Sequence, residues 1–194
     1  LTNNTVYGCS VRATNAIGTG PASTSVSVKP AAAVASTPYP VGLSDQSLVV
    51  NGITRQFRVH VPASLNSSPK ALVFVLHGGG GTGLNVANTG AHPLSVFRSV
   101  ADREGFVVVY PGGLPASDGQ EGWVDCRGDN GVSSGADDIG FLAALIERVR
   151  GQYNLSTTRV FMAGGSNGGM MTQAFAIVRP DLIAAVASSG GSLA

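Results

Sequence analysis

Four stretches of the chain are apolar almost without interruption: ALVFVL (71–76), FVVVY (106–110), RVFMA (159–163) and IAAVA (183–187). Runs of this length predict strands buried on both faces. Between them the period changes. In ADDIGFLAALIERVR (136–150), Ile139, Leu142, Ile146 and Val149 fall at helical spacing. Residues 85–105 contain a second helix, clearest from Pro93 onward, and 167–178 a third, stopped by Arg179-Pro180. SLVVNG and ITRQFRVHVP read as two strands around an Asn-Gly turn. Strands alternating with helices predict right-handed βαβ units and a mostly parallel sheet with helices on both faces, an α/β fold.

The first 30 residues follow another pattern. TVYGCSVRATN alternates, with Tyr7, Cys9, Val11 and Ala13 on the side expected to face inward, and STSVSVKP alternates again after a turn cluster. Two such strands cannot bury a core alone. Residues 31–44, AAAVASTPYPVGLS, are small and proline-rich and read as a linker. The expected organisation is therefore a β-module at 1–30, a linker at 31–44 and an α/β domain at 45–194. Neither end carries an obvious start or stop signal, so the sequence reads as a fragment of a longer chain.

Of the 194 residues, 43% are hydrophobic and 12% charged, with net charge +1, so there is no electrostatic case for nucleic acid or an acidic membrane as partner. No apolar run approaches the ~18 residues of a membrane span. Cys9 and Cys126 stand 117 positions apart with no CxxC pair, which makes no metal site.

The chemistry concentrates in FMAGGSNGGMM (161–171). G-x-S-x-G is the pattern of a nucleophile elbow, in which a strand delivers a serine to a tight turn and a helix leaves at once. The pentad occurs twice, around Ser133 and around Ser166. Ser133 follows a polar loop, whereas Ser166 follows a buried strand and opens a helix. Ser166 is therefore the candidate nucleophile, against the plainer reading of a helix N-cap. Acyl transfer also needs donors for the developing oxyanion. The backbone N–H of Asn167 is one candidate. The glycine loop HGGGGTG (77–83), after an earlier strand, suits the role of the other.

LHGGGG, VVYPGG, GW, DDIGFLAALIERV, RVFMAGGSNGGMMT and PDLIAAVASSGG occur in this order. Together they resemble the α/β-hydrolase family of secreted polyhydroxybutyrate depolymerases and the related feruloyl and acetylxylan esterases, over residues 45–194. The resemblance implies a secreted serine esterase acting on polymeric or small esters, without a cofactor. It implies Ser166 as nucleophile and Gly79 and Asn167 as oxyanion donors, with Gly80 open as the alternative to Gly79. Trp123, in the loop after the VVYPGG strand, is open between substrate contact and packing. Residues 1–30 resemble the last two strands of a fibronectin type III domain, through Leu1, Thr5, Tyr7, Val11, Ala13, Asn15, Gly18, Gly20 and Ser23. An irregular hairpin opening the next domain is the plainer alternative. Where many esterases of this kind carry a cysteine after the elbow, Ile177 stands here, which leaves Cys126 free or paired outside these residues.

The triad order in this fold is Ser, then Asp or Glu, then His. The 28 residues after Ser166 hold one acid, Asp181, and no histidine. His60 reads as a structural strand residue, His77 as scaffold beside the glycine loop, and His92 as a helix-start residue. Asp137 and Asp138 read as helix-opening acids and Asp181 as a turn residue. These residues alone are thus expected to be inactive. Two other readings stay open: a non-catalytic hydrolase-like binding domain, and a serine peptidase of the prolyl-peptidase type.

Overall fold

The computed structural model describes residues 5–28, 38–66, 68, 70–88, 90, 92–125 and 134–192. Ser133 and Cys126 lie outside the described residues. The chain divides into two compact units, Leu1–Ala35 and Ser36–Ala194.

In the first unit, β1 (Tyr7–Cys9) pairs antiparallel with β4 (Val26–Val28), and β2 (Thr14–Asn15) with β3 (Gly18–Thr19). The long strand read from TVYGCSVRATN is therefore two short pieces. Tyr7 is half-buried, but Cys9, Val11 and Ala13, expected to face inward, are exposed. Ile17 is 97% exposed. Alternation supplies one apolar face, and nothing among the described residues of this unit forms a second layer over it.

The second unit is built on β5 (Gly42–Val50), β6 (Ile53–Val61), β7 (Lys70–Leu76), β8 (Val107–Pro111), β11 (Leu155–Gly165) and β12 (Ala185–Ser189). Their order is β12-β11-β7-β8-β6-β5. The first four are parallel neighbours, and β6 and β5 extend the sheet antiparallel. The β5–β6 hairpin turns through Asn51 at φ 50° and Gly52 at φ 79°, the doubly positive geometry that favours Asn-Gly. Between β8 and the next helix lies a small ladder of β9 (Leu114–Pro115) and β10 (Glu121–Gly122).

Alternate residues of β7 supply two cores. Leu72, Phe74 and Leu76 meet α3 (Asp138–Arg150) and α4 (Asn167–Val178) through Phe141, Leu145, Met171 and Phe175. Val73 and Val75 belong to the other core, with Val86 and Ala87 of α1 (Gly83–Ala87) and Ala101 of α2 (Val96–Glu104). The expected strand at IAAVA begins only at Ala185, and β12 is largely exposed rather than buried on both faces. Among the described residues it is an edge strand, paired only with β11.

Candidate active site

Ser166 sits between the end of β11 and the start of α4 with φ 50° and ψ −122°. Only Ser166 and Asn51 among the described non-glycine residues have positive φ. Such a conformation costs about 1–3 kcal/mol and persists only where the surroundings enforce it. Here the Ser166 N–H donates to the Ser189 carbonyl at 2.8 Å, and the Ser166 carbonyl accepts from Met170 N–H at 3.0 Å. The side chain is exposed and makes no capping hydrogen bond, so it does not act as a helix N-cap. Gly164 and Gly168, two residues to either side, are sterically required. A Cβ on Gly164 would collide with the Gly168 carbonyl, and one on Gly168 with the carbonyls of Leu76 and His77.

The glycine loop lies against this elbow. A Cβ on Gly78 would stand 3.5 Å from the Ser166 Cβ. The backbone donors of the loop are sorted by what they already hold. Gly80 N–H donates to the Glu121 carbonyl at 2.8 Å and Gly81 N–H to the Gly78 carbonyl at 3.0 Å. Gly79 N–H has no hydrogen-bond partner among the described residues. Of the two glycines weighed in the sequence, Gly80 therefore has its N–H engaged within the fold. Asn167 N–H, at the first position of α4, has no acceptor within the helix.

Behind these donors stands a wall of buried side chains. The Asn167 side chain accepts Trp123 N–H at 2.8 Å, donates to the Trp123 carbonyl at 3.0 Å, and also donates to Asp125. Trp123 has no exposed surface, and its indole N–H donates to the His77 carbonyl at 2.9 Å. The structure therefore places Trp123 in packing rather than on the cleft surface. Arg55 and Asp138 form a buried ion pair at 2.6 Å. The second Asp138 oxygen accepts Val124 N–H at 2.8 Å, and the Arg55 guanidinium lies 4.0 Å from the Phe141 ring centre. Burial pushes the Asp138 carboxyl above its ordinary range, with the Val124 N–H and Arg55 pulling it down. Sequence reading placed Asp138 only as a helix-opening acid. Its partner is 83 positions away, and no local signal marks the pair.

The remaining candidates have structural partners. His77 is fully buried, and burial lowers its pKa to about 4. His60 bonds Asp102 at 2.7 Å, and the His92 ring accepts Leu94 N–H at the start of a short 3-10 turn, Pro93–Ser95. Asp137 caps α3 by accepting Gly140 N–H at 2.7 Å. Asp181 pairs with Arg179 on the surface, which lowers its pKa. No described histidine is hydrogen-bonded to Ser166. Among the described residues no cluster of three or more His, Cys, Asp or Glu could hold a metal, and no helix is long and apolar enough to cross a membrane.

The family model for esterase PHB depolymerases matches residues 56–193, more than half of the chain, including the glycine loop and the Ser166 elbow. The chain belongs to that family. Within the wider esterase group it is similar to feruloyl esterase B of Neurospora crassa, 33% identical over 137 residues, covering 68% of this chain and 42% of the relative. It is also similar to acetylxylan esterase A of Aspergillus awamori, 29% identical over 133 residues, covering 69% of this chain and 41% of the relative. The chain thus spans about two-fifths of the length of these curated relatives. The solved structure of an acetyl xylan esterase from Aspergillus awamori superposes with a TM-score of 0.54 at 25% identity, over 76% of this chain and 53% of that one. The esterase-family chain thus has the α/β-hydrolase sheet of its structural neighbour.

Proposed function

We propose that the protein is a serine carboxylic-ester hydrolase acting on polymeric or plant-wall esters, with Ser166 as nucleophile and no cofactor. The observation that carries this reading is an exposed Ser166 held at φ 50° beside a glycine loop whose Gly79 N–H has no partner among the described residues. Ser166 Oγ attacks the ester carbonyl carbon. The oxyanion that forms is met by the N–H groups of Gly79 and Asn167, the alcohol leaves, and water releases the acid from the acyl-serine. The family relatives whose names specify feruloyl and acetylxylan esters favour this substrate class over a peptide bond.

A serine hydroxyl needs a base within about 3 Å to become a good nucleophile. His60, His77 and His92 all have other partners. We infer that residues 1–194 alone turn over esters far more slowly than the natural full-length protein. Residues 1–30 as the end of a fibronectin type III module, 31–44 as linker, 45–194 as hydrolase, and secretion of the protein belong to the same proposal.

The test is hydrolysis of p-nitrophenyl esters, feruloyl esters and a peptide anilide by the natural full-length protein, its Ser166→Ala variant and residues 1–194. Ester turnover abolished by Ser166→Ala supports the reading. Turnover that survives Ser166→Ala, or a preference for the anilide, overturns it. Strong Ser166-dependent turnover by residues 1–194 overturns the inference about the base.

A further inference from the structure

The ring of His77 has two nitrogens, and each is engaged by a group whose role is fixed. Gly113 N–H points at Nε2 at 2.9 Å, and the Gly78 carbonyl faces Nδ1 at 2.7 Å. A backbone N–H can only donate, so Nε2 accepts. A carbonyl can only accept, so Nδ1 carries the proton. The imidazole is thus neutral and in a single tautomer. The nearest carboxylate, Glu121, is 3.9 Å from Nε2, beyond hydrogen-bond distance.

We infer that His77 is a positioning residue of the oxyanion hole, acting through one peptide plane. This rests on the esterase reading above. The Gly78 carbonyl and the Gly79 N–H belong to the same peptide unit, which is planar and trans, so they point in opposite directions. The carbonyl is fixed by two donors, His77 Nδ1–H at 2.7 Å and Gly81 N–H at 3.0 Å. Fixing it fixes the Gly79 N–H outward, in a loop whose glycines would otherwise let the plane rotate. The far side of the ring ties the same peptide to Gly113, just past the end of β8. The His77 carbonyl takes the Trp123 indole N–H, which anchors the residue from its own backbone. An apolar side chain of the same size would fill the space but leave the Gly78–Gly79 plane held by Gly81 alone.

Two substitutions separate aim from packing in the natural full-length protein. His77→Asn keeps an N–H donor near the Nδ1 position and loses the group at Nε2. His77→Gln keeps a group near Nε2 and loses the donor to Gly78. In His77→Gln, kcat is expected to fall about 10²–10³-fold, the effect of losing an oxyanion donor, with KM within about threefold. His77→Asn should stay within about tenfold of wild type. Affinity for a trifluoromethyl ketone should fall in parallel with kcat/KM, since it reports transition-state binding. Equal losses in both variants, or a loss confined to KM, overturn the inference. If neither variant folds, nitrogen NMR of histidine-labelled wild-type protein at neutral pH decides. A proton on Nδ1 alone supports the inference, and a proton on Nε2 overturns it. Failure of the esterase reading is recognised separately, by turnover that Ser166→Ala leaves intact.

Discussion

The front of the site and the wall behind it are built in opposite ways. The front, Gly78 to Gly81 and Gly164 to Gly168, is nearly all backbone, and the proposed chemistry rests there on N–H groups and one strained serine. The wall, Arg55, His77, Trp123, Asp138 and Asn167, consists of buried side chains that each hold a specific partner. The front is therefore vulnerable to added atoms and the wall to removed ones. Gly164 and Gly168 face backbone carbonyls that cannot move aside, whereas a wall residue leaves a desolvated partner behind when it is deleted.

The largest effect should come from adding atoms at the front. Gly168→Val drives a branched side chain into the carbonyls of Leu76 and His77, and is expected to cost more than about 4–5 kcal/mol. Failure to recover folded protein, judged by circular dichroism and gel filtration, is the expected result. A well-folded Gly168→Val protein would break the comparison at its strongest point.

Deletion in the wall comes next. Asp138→Ala leaves Arg55 buried and unpaired, with an expected loss of about 3–5 kcal/mol in urea unfolding. Replacing both partners, Arg55→Met with Asp138→Leu, should restore much of that loss, because no buried charge is then left over. A double variant as unstable as the single one would show that the hydrogen bonds to Gly112 and Val124, not the charge, dominate.

Acid should weaken the wall without any mutation. His77 titrates at 6.5 when unfolded and at about 4 when folded, so between these values the unfolded chain binds the extra proton. The stability it contributes is complete above pH 6.5 and lost as pH falls toward 4, by on the order of 3 kcal/mol. Urea midpoints across this window, wild type against His77→Asn, isolate the term. An identical pH dependence in the two proteins would remove His77 from the account.

The smallest effect sharpens the contrast from the other side. Gly119 has φ 79° but nothing within 4 Å of an added Cβ. Gly119→Ala should cost only about 1 kcal/mol, the left-handed penalty without a collision, read as a shift in thermal midpoint. A loss comparable to that of Gly168→Val would mean that backbone conformation, not contact with carbonyls, sets the cost of an added Cβ.

The front was largely legible in the amino-acid sequence. An elbow needs a strand, a serine between small residues and a helix in immediate succession, and all three signals lie within about twenty residues of each other. The parallel strands and three principal helices follow from the same local periodicities, which depend on near neighbours. Tertiary structure decided the rest. That Gly80 N–H is taken by the Glu121 carbonyl, while Gly79 N–H has no partner among the described residues, depends on the fold, as the burial of Trp123 depends on the carbonyl of His77 and the side chain of Asn167. The tautomer of His77 is set by an N–H 36 positions along the chain, and the partner of Asp138 by an arginine 83 positions back. The exposed faces of β1, β4 and β12 follow the same rule: alternation marks which residues share a side, but only a second layer packed against that side buries them. Hydrogen bonds and burial between distant residues leave no period in the chain, so the sequence specifies the parts of the candidate site and their order, while the fold alone determines which backbone donors are already engaged.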